Sequence, residues 1–274
     1  MTQALSTGSA SFVGNPRTSL SYLLSQLVWR DIRSRYLGSL VGLFWSLLNP
    51  LLQLVVYTLV FSLILTDRLM AEGSTARFAE LLFCGLLPFL ALQESVTRSA
   101  RVYLDFANLI KKAAVPLEVL PLSLVLSALM HQLVGTIVLL SVIALTGSLN
   151  VSTLPWLLPL LGLQLLLMIG PSLLVSAVNV LFRDLAQMLG VVFMVLFWAT
   201  PIVYGRGEQI PGWLNWLLAF NPLTHLVEAY RFTFFGAQQP SLVGLAYCVL
   251  WAVALLLAGR RVVLGSRPLI LDLV

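Results

Sequence analysis

VLPLSLVLSALMHQLVGTIVLLSVIALTGSLNVSTLPWLLPLLGLQLLLMIGPSLLVSAVNVLF, residues 119–182, separates Glu118 from Arg183 without one formally charged side chain. A helix that crosses a bilayer needs about 20 apolar residues. The run is too long for one crossing and suits two. Thr146-Gly147-Ser148-Leu149-Asn150 divides it with turn-forming residues, so the sequence predicts spans at 118–146 and 154–181.

Neighbouring segments read the same way. No charge occurs from Tyr36 to Thr66, which predicts a span at 37–66. A polar loop follows, then a span at 78–97 with Glu80 near one end and Glu94 near the other. Arg183 and Asp184 form a very short connection to a fifth span at 185–204, and a sixth at 241–259 ends on Arg260-Arg261. Before the first span, Leu20, Leu23, Leu24, Leu27 and Val28 recur at helical spacing and lead into Arg30, Asp31, Arg33 and Arg35. That pattern predicts an amphipathic helix at 19–36 lying on the membrane surface, behind a flexible Ser/Thr/Gly/Asn-rich tail at 1–18.

Residues 205–240 are apolar but broken. Pro211-Gly212 opens the uncharged part and Asn221-Pro222 cuts it after about ten residues, too few for a helix to cross roughly 30 Å of hydrocarbon. The expected form is two short re-entrant helices on the outer side, with Trp213, Trp216 and Tyr230 as interfacial anchors. Irregular backbone at that depth requires protein or a wet path beside it.

The composition agrees with this reading. Of 274 residues 59% are hydrophobic and 10% charged, against about 25% charged in soluble domains; mean hydropathy is +0.96. Six spans account for the chain and leave no room for a separate soluble domain. The net charge of +5 does not make a nucleic-acid surface, because the basic residues are scattered between apolar runs rather than clustered. With both termini cytoplasmic, twelve of the sixteen Lys and Arg fall inside and Arg68, Arg77, Arg206 and Arg231 outside, as the positive-inside rule requires. The first 25 residues lack the basic-then-apolar pattern of a cleavable signal. Cys84 and Cys248 both lie in apolar runs and read as free thiols.

Chemistry is sparse. The only lysines are Lys111 and Lys112, and no Gly-x-x-x-x-Gly-Lys-Ser/Thr loop exists to cradle ATP phosphates. Gly-x-Ser-x-Gly, His-Glu-x-x-His and Asp-x-Asp are also missing. No catalytic residue and no metal site are expected. His225, Glu228 and Arg231 are three apart in turn and share a helix face. The cluster reads as an ion-pair set that stabilises the re-entrant piece, or as a contact for a polar substrate. A metal site would need more than one histidine and one carboxylate. Glu94 and His131 have no partner identifiable from the sequence. Gly38-x-x-x-Gly42 matches a helix-packing pattern.

Several ordered pieces carry a resemblance. They are Trp29-Arg30-Asp31-Ile32-Arg33-Ser34-Arg35-Tyr36 with Gly38, Gly42 and Trp45-Ser46-Leu47-Leu48-Asn49-Pro50; then Lys111-Lys112 through Val115-Pro116-Leu117-Glu118; Asn179-Val180-Leu181-Phe182-Arg183-Asp184-Leu185; Trp198-Ala199-Thr200-Pro201-Ile202-Val203-Tyr204; and Asn221-Pro222. Together they resemble the membrane subunits of type-2 ABC polysaccharide exporters, from about residue 20 to 262. The Phe-Arg-Asp and Pro-Ile-Val-Tyr pieces resemble the O-antigen and teichoic-acid branch most, with the capsule branch close.

The resemblance implies an all-α membrane fold and a homodimeric channel in the bacterial inner membrane, paired with two separate ATP-binding-cassette ATPase subunits. The chain itself would bind no cofactor; ATP and Mg would sit on the ATPase. The substrate class implied is lipid-linked polysaccharide, with membrane lipids and periplasmic export proteins as further partners. Arg30, Asp31, Arg33, Arg35, Lys111 and Lys112 would face the ATPase. Trp45, Tyr57, Phe61, Phe193, Phe197, Trp198 and Tyr204 are the aromatic candidates for a channel lining on which sugar rings stack. Alternatives are a drug or lipid exporter of the same fold, and a membrane-embedded glycan or lipid enzyme.

Overall fold

A computed structural model describes residues 16–36, 75–112, 115–204 and 211–273, with helical positions Leu48, Leu52, Val55, Val56, Leu59 and Val60 between them. Of the expected tail at 1–18, residues 16–18 already belong to the first helix and the rest lies outside the described residues, as do the Gly38-x-x-x-Gly42 pattern and most of the expected span at 37–66.

The described residues are helices joined by short connections, and no strand occurs among them. In order the elements are α1 (Pro16–Tyr36), α2 (Thr75–Ala100), α3 (Val102–Asp105), α4 (Ala107–Lys112) and α5 (Val119–Leu145). After a 3-10 turn at Val151–Trp156 come α6 (Leu157–Leu181), α7 (Leu185–Trp198), α8 (Gly212–Ala219), α9 (Pro222–Phe235), α10 (Leu242–Gly265) and α11 (Arg267–Leu273). Four stretches among the described residues are long and apolar enough to cross a membrane: Arg77–Ala100, Val119–Leu145, Val151–Leu181 and Leu242–Gly265.

α7 is shorter, at 14 residues, or about 21 Å at 1.5 Å per residue. The chain beyond it, Ala199–Tyr204, is not helical. Two of its backbone oxygens are satisfied from α9 and from α9's N-cap. Asn221 Nδ2 donates to Ala199 O at 2.9 Å, and Arg231 Nη2 donates to Ile202 O at 2.7 Å. Irregular backbone at membrane depth persists where protein groups replace water in this way.

Two apolar cores divide the molecule end to end. The larger joins α2, α5, α6, α7, α9 and α10 around Phe83, Leu86, Leu139, Met168, Phe193 and Phe234. The smaller joins α1, α3, α4, α5, α6, α10 and α11 around Leu27, Tyr103, Leu120, Ala177, Val263 and Ile270. α6 and α10 make the most extensive helix pair. A Cβ on Gly170 would meet Leu255 C at 2.6 Å, and one on Gly259 would meet Gly170 O at 2.6 Å. Small residues let two backbones approach where lipid offers no hydrophobic drive between helices.

At the end that carries the start of α2, the α5–α6 connection is fastened to α9. Asn150 N–H donates to Phe234 O at 2.9 Å, and Thr153 Oγ1 donates to Thr233 O at 3.0 Å. Gly236 ends α9 with φ +61°, and a Cβ there would lie 2.1 Å from Asn150 Nδ2, so the turn needs glycine twice over. Beside it Arg77 stacks 4.3 Å over the Phe235 ring and pairs with Glu80 at 3.7 Å; Thr146 Oγ1 donates to Glu80 Oε1 at 2.7 Å.

Candidate functional site

Three polar assemblies stand out from the apolar body, one at each end and one between. The first lies where α1 meets the last turn of α2. Arg98 grips Asp31 with both terminal nitrogens, Nη1 to Oδ2 at 2.9 Å and Nη2 to Oδ1. Ser127 of α5 donates to the same carboxylate. Arg98 Nη1 also reaches Glu94 Oε1 at 3.4 Å, and Glu94 Oε2 lies 3.1 Å from His131 Nδ1. Glu94 and His131, unmatched in the sequence, are therefore each other's partner. The sequence offered no signal for this, because 37 positions separate them. The Asp31 side chain is only 13% exposed, whereas its neighbours Arg30 and Arg33 are exposed.

The α1 helix begins at Pro16, a preferred first helical position. Leu27 is buried and Leu23 packs beside it, yet Leu20, Tyr22 and Trp29 are exposed. The inward face thus mixes leucines with an acid, and apolar spacing alone does not find it. Arg30 lies 5.6 Å from the Phe106 ring centroid. Lys111 and Lys112, at the end of α4, are exposed while Ile110 anchors that helix inward. The Arg35 side chain lies outside the described residues. A cavity of about 380 Å³ opens between these elements, lined by Asp31, Thr97, Arg98, Arg101, Asp105 and Phe106 among others. Burial pushes the Tyr103 phenol up from its ordinary range, so it stays neutral against this smaller core.

The second assembly is in the middle. Gln132, Gln164 and Tyr230 are all buried. The two amides exchange hydrogen bonds, one of them Gln132 Nε2 to Gln164 Oε1 at 2.9 Å. Tyr230 donates to Gln164 Oε1 and accepts from Gln132 Nε2 at 3.3 Å, and Gln164 Nε2 points at Pro88 O, 3.4 Å away. Tyr230 is thus a core residue at 1% exposure, not the interfacial anchor its sequence position suggested; Trp213 and Trp216 are exposed. Tyr230 turns inward because the buried glutamines give its hydroxyl partners that hydrocarbon cannot.

The third assembly is at the far end. His225 Nε2 lies 3.0 Å from Ala219 O, and Nδ1 lies 3.7 Å from Glu228 Oε2. Arg231 instead turns to Ile202 O. The expected row of three therefore divides its contacts between the end of α8 and the chain after α7. A polar cavity of about 470 Å³ adjoins it, with Glu228, Arg231, Gln238, Gln239 and Ser241 on its wall.

Of the aromatic candidates, Trp45, Tyr57 and Phe61 lie outside the described residues. Phe193 is buried and meets Phe89 edge to face at 6.1 Å; Phe197 meets the same ring at 5.5 Å. Trp198 is 60% exposed, and Tyr204 Oη donates to its carbonyl at 2.5 Å. The exposed side of α7 is otherwise mostly apolar, with Met188, Val191, Met194 and Val195 beside Gln187. Both cysteines are free and buried. Among the described residues no three His, Cys, Asp or Glu side chains gather as a metal set.

The assembly is a polytopic helical membrane protein in which the described polar clusters fasten helices to one another. The chain belongs to the ABC-2 type transporter membrane family, whose model matches residues 22–235. It is 31% identical over 220 residues to the O-antigen export system permease protein RfbA of Klebsiella pneumoniae, covering 78% of this chain and 81% of that one. It is 30% identical over 250 residues to the protein of the same name from Myxococcus xanthus, covering 87% and 92%. To the polysialic acid transport protein KpsM of Escherichia coli it is 24% identical over 234 residues, covering 85% and 89%.

Proposed function

We infer that the chain is the channel-forming permease of an ATP-driven exporter that moves lipid-linked polysaccharide across the bacterial inner membrane, with an O-antigen as the nearest substrate class. The observation that carries this is the near full-length likeness to two permeases named for O-antigen export, at 31% and 30% identity. The weaker likeness to a polysialic acid transporter keeps the substrate within export of surface glycans.

The working form is a homodimer with two ATPase subunits, six spans in each copy and both termini cytoplasmic. ATP and Mg belong to the ATPase; this chain supplies the path and the surface that receives its motion. The ATPase-facing surface is the exposed side of α1, with Arg30 and Arg33, together with Lys111 and Lys112 on α4. The exposed Trp198, with Tyr204 tied to it, offers an aromatic face at the mouth of the path, where α8 and α9 dip in from the outside. A polymer of sugars needs such a path: wet, wide, mostly uncharged, with rings for stacking rather than fixed charges that would hold it.

The test is genetic and biochemical. Removing the gene from its host should abolish surface glycan while lipid-linked polymer accumulates on the cytoplasmic side, and a plasmid copy should restore export. Surface glycan that persists at parental levels in the deletion strain would refute the reading.

A further inference from the structure

Asp31 belongs by position to the basic group at the end of α1, yet its side chain is withdrawn from solvent at 13% exposure where Arg30 and Arg33 are exposed. Its carboxylate is turned into the bundle and held by three donor groups from two other helices: both terminal nitrogens of Arg98 on α2 and the hydroxyl of Ser127 on α5. We propose that Asp31 does not touch the ATPase, and that with Arg98 it forms the strut through which displacement of α1 reaches the spans. This rests on the export reading above and adds a positioning residue to it.

The physical case is directional. Leu23 and Leu27 hold α1 to the smaller core through apolar contact, which is non-directional and lets a helix slide or roll at little cost. A guanidinium fork on a carboxylate fixes distance and orientation together. Arg98 is two residues from the end of α2, so a push on α1 acts on the tip of that helix as on a lever. The same carboxylate engages α5 through Ser127, and Glu94 extends the contact to His131 on α5 at 3.1 Å. α2 and α5 thus move as a pair. Their opposite ends are also joined, by Thr146 on Glu80 at 2.7 Å, so a tilt at one end arrives at the other. Simple attachment of α1 does not require an acid at this position, because taking charges out of water costs more than an apolar contact of the same size. The ion pair earns its place through geometry.

The experiment uses the full complex, permease with its ATPase, in the deletion strain and after purification. Asp31→Asn, Asp31→Glu and Arg98→Lys are compared with wild type and with Lys111→Glu/Lys112→Glu for ATPase co-purification, ATP hydrolysis and surface glycan. Asp31→Asn should keep co-purification and hydrolysis while export falls by about 5- to 150-fold, the span of ordinary coupling free energies. Asp31→Glu should recover much of the loss, and Arg98→Lys, which keeps the charge without the fork, should lie between. The lysine pair should lose co-purification instead.

If Asp31→Asn does not accumulate in the membrane, Arg98→Lys decides. Wild-type export per ATP hydrolysed in Arg98→Lys, or loss of the ATPase from an otherwise folded Asp31→Asn chain, overturns the strut. If the wild-type plasmid itself restores no export, the export reading has failed, not the strut.

Discussion

Gly259 lies against the carbonyl of Gly170 so closely that a single added methyl on Gly259 would stand 2.6 Å from that oxygen. The α6–α10 crossing is thus set by two missing side chains, and its neighbours Leu173 and Leu255 close around it. This close crossing of α6 and α10 belongs to the scaffold.

Gly259→Val should therefore force the two backbones apart. Overpacking costs about 1–3 kcal/mol where side chains can yield, and here the obstructing atom is backbone, so the upper end applies. The thermal midpoint of the detergent-solubilised protein should fall by several degrees. Gly265→Ala, with nothing within 4 Å of the new Cβ, should leave it unchanged.

Gln164→Leu tests the buried triad. It removes the acceptor of the Tyr230 O–H and the partner of the Gln132 carbonyl, leaving only the 3.3 Å donation from Gln132 Nε2 to Tyr230 Oη, and each buried polar group left unpaired costs roughly 1–3 kcal/mol. Interhelical hydrogen bonds in membrane proteins can contribute less, about 0.6 kcal/mol on average. A loss of about 1–2 kcal/mol is expected, read from thermal or denaturant unfolding. Adding Tyr230→Phe should return part of the loss; a purely additive double variant would show that the hydroxyl and amide are not coupled.

Topology can be read by labelling, because Cys84 and Cys248 are both fully buried and give little background. Gln239→Cys, exposed after α9, should react with an impermeant thiol reagent in intact cells. Asn108→Cys, exposed on α4, should react only after permeabilisation. Labelling of Asn108→Cys in sealed cells would defeat the orientation with both ends inside.

Reversing charge on α4, with Lys111→Glu and Lys112→Glu together, should leave insertion intact, since Arg98 and Arg101 remain on the same side. If the lysines meet the ATPase in a desolvated contact, the cost is about 2–5 kcal/mol. The chain should then purify folded but without its ATPase, and glycan should build up inside the cell. Export at the wild-type rate would assign these lysines to orientation alone.

Much of the architecture was legible in local sequence. Hydropathy is a property of consecutive residues, so the uncharged run at 119–182 already announced two helices and a turn, and α5 and α6 follow it. Asn221-Pro222 was readable for the same reason: an Asn cap whose Oδ1 accepts from Leu223 N–H at 3.0 Å, and a proline at the first helical position, start α9 where the sequence broke. The ordered motifs carried the family.

Only tertiary structure decided what the polar residues do. Arg98 lies 67 positions from Asp31, and Ser127 lies 96 positions from it; nothing within one helix distinguishes Asp31 from the exposed arginines on either side. Gln132, Gln164 and Tyr230 likewise find each other from three separate helices, and Tyr230 gives up the interface because of it. The chain's sequence determines which segments leave water, because that balance is settled residue by residue against hydrocarbon. Which side chains then share a hydrogen bond depends on how the helices cross, and at Gly170 and Gly259 that crossing is settled by atoms that are not there.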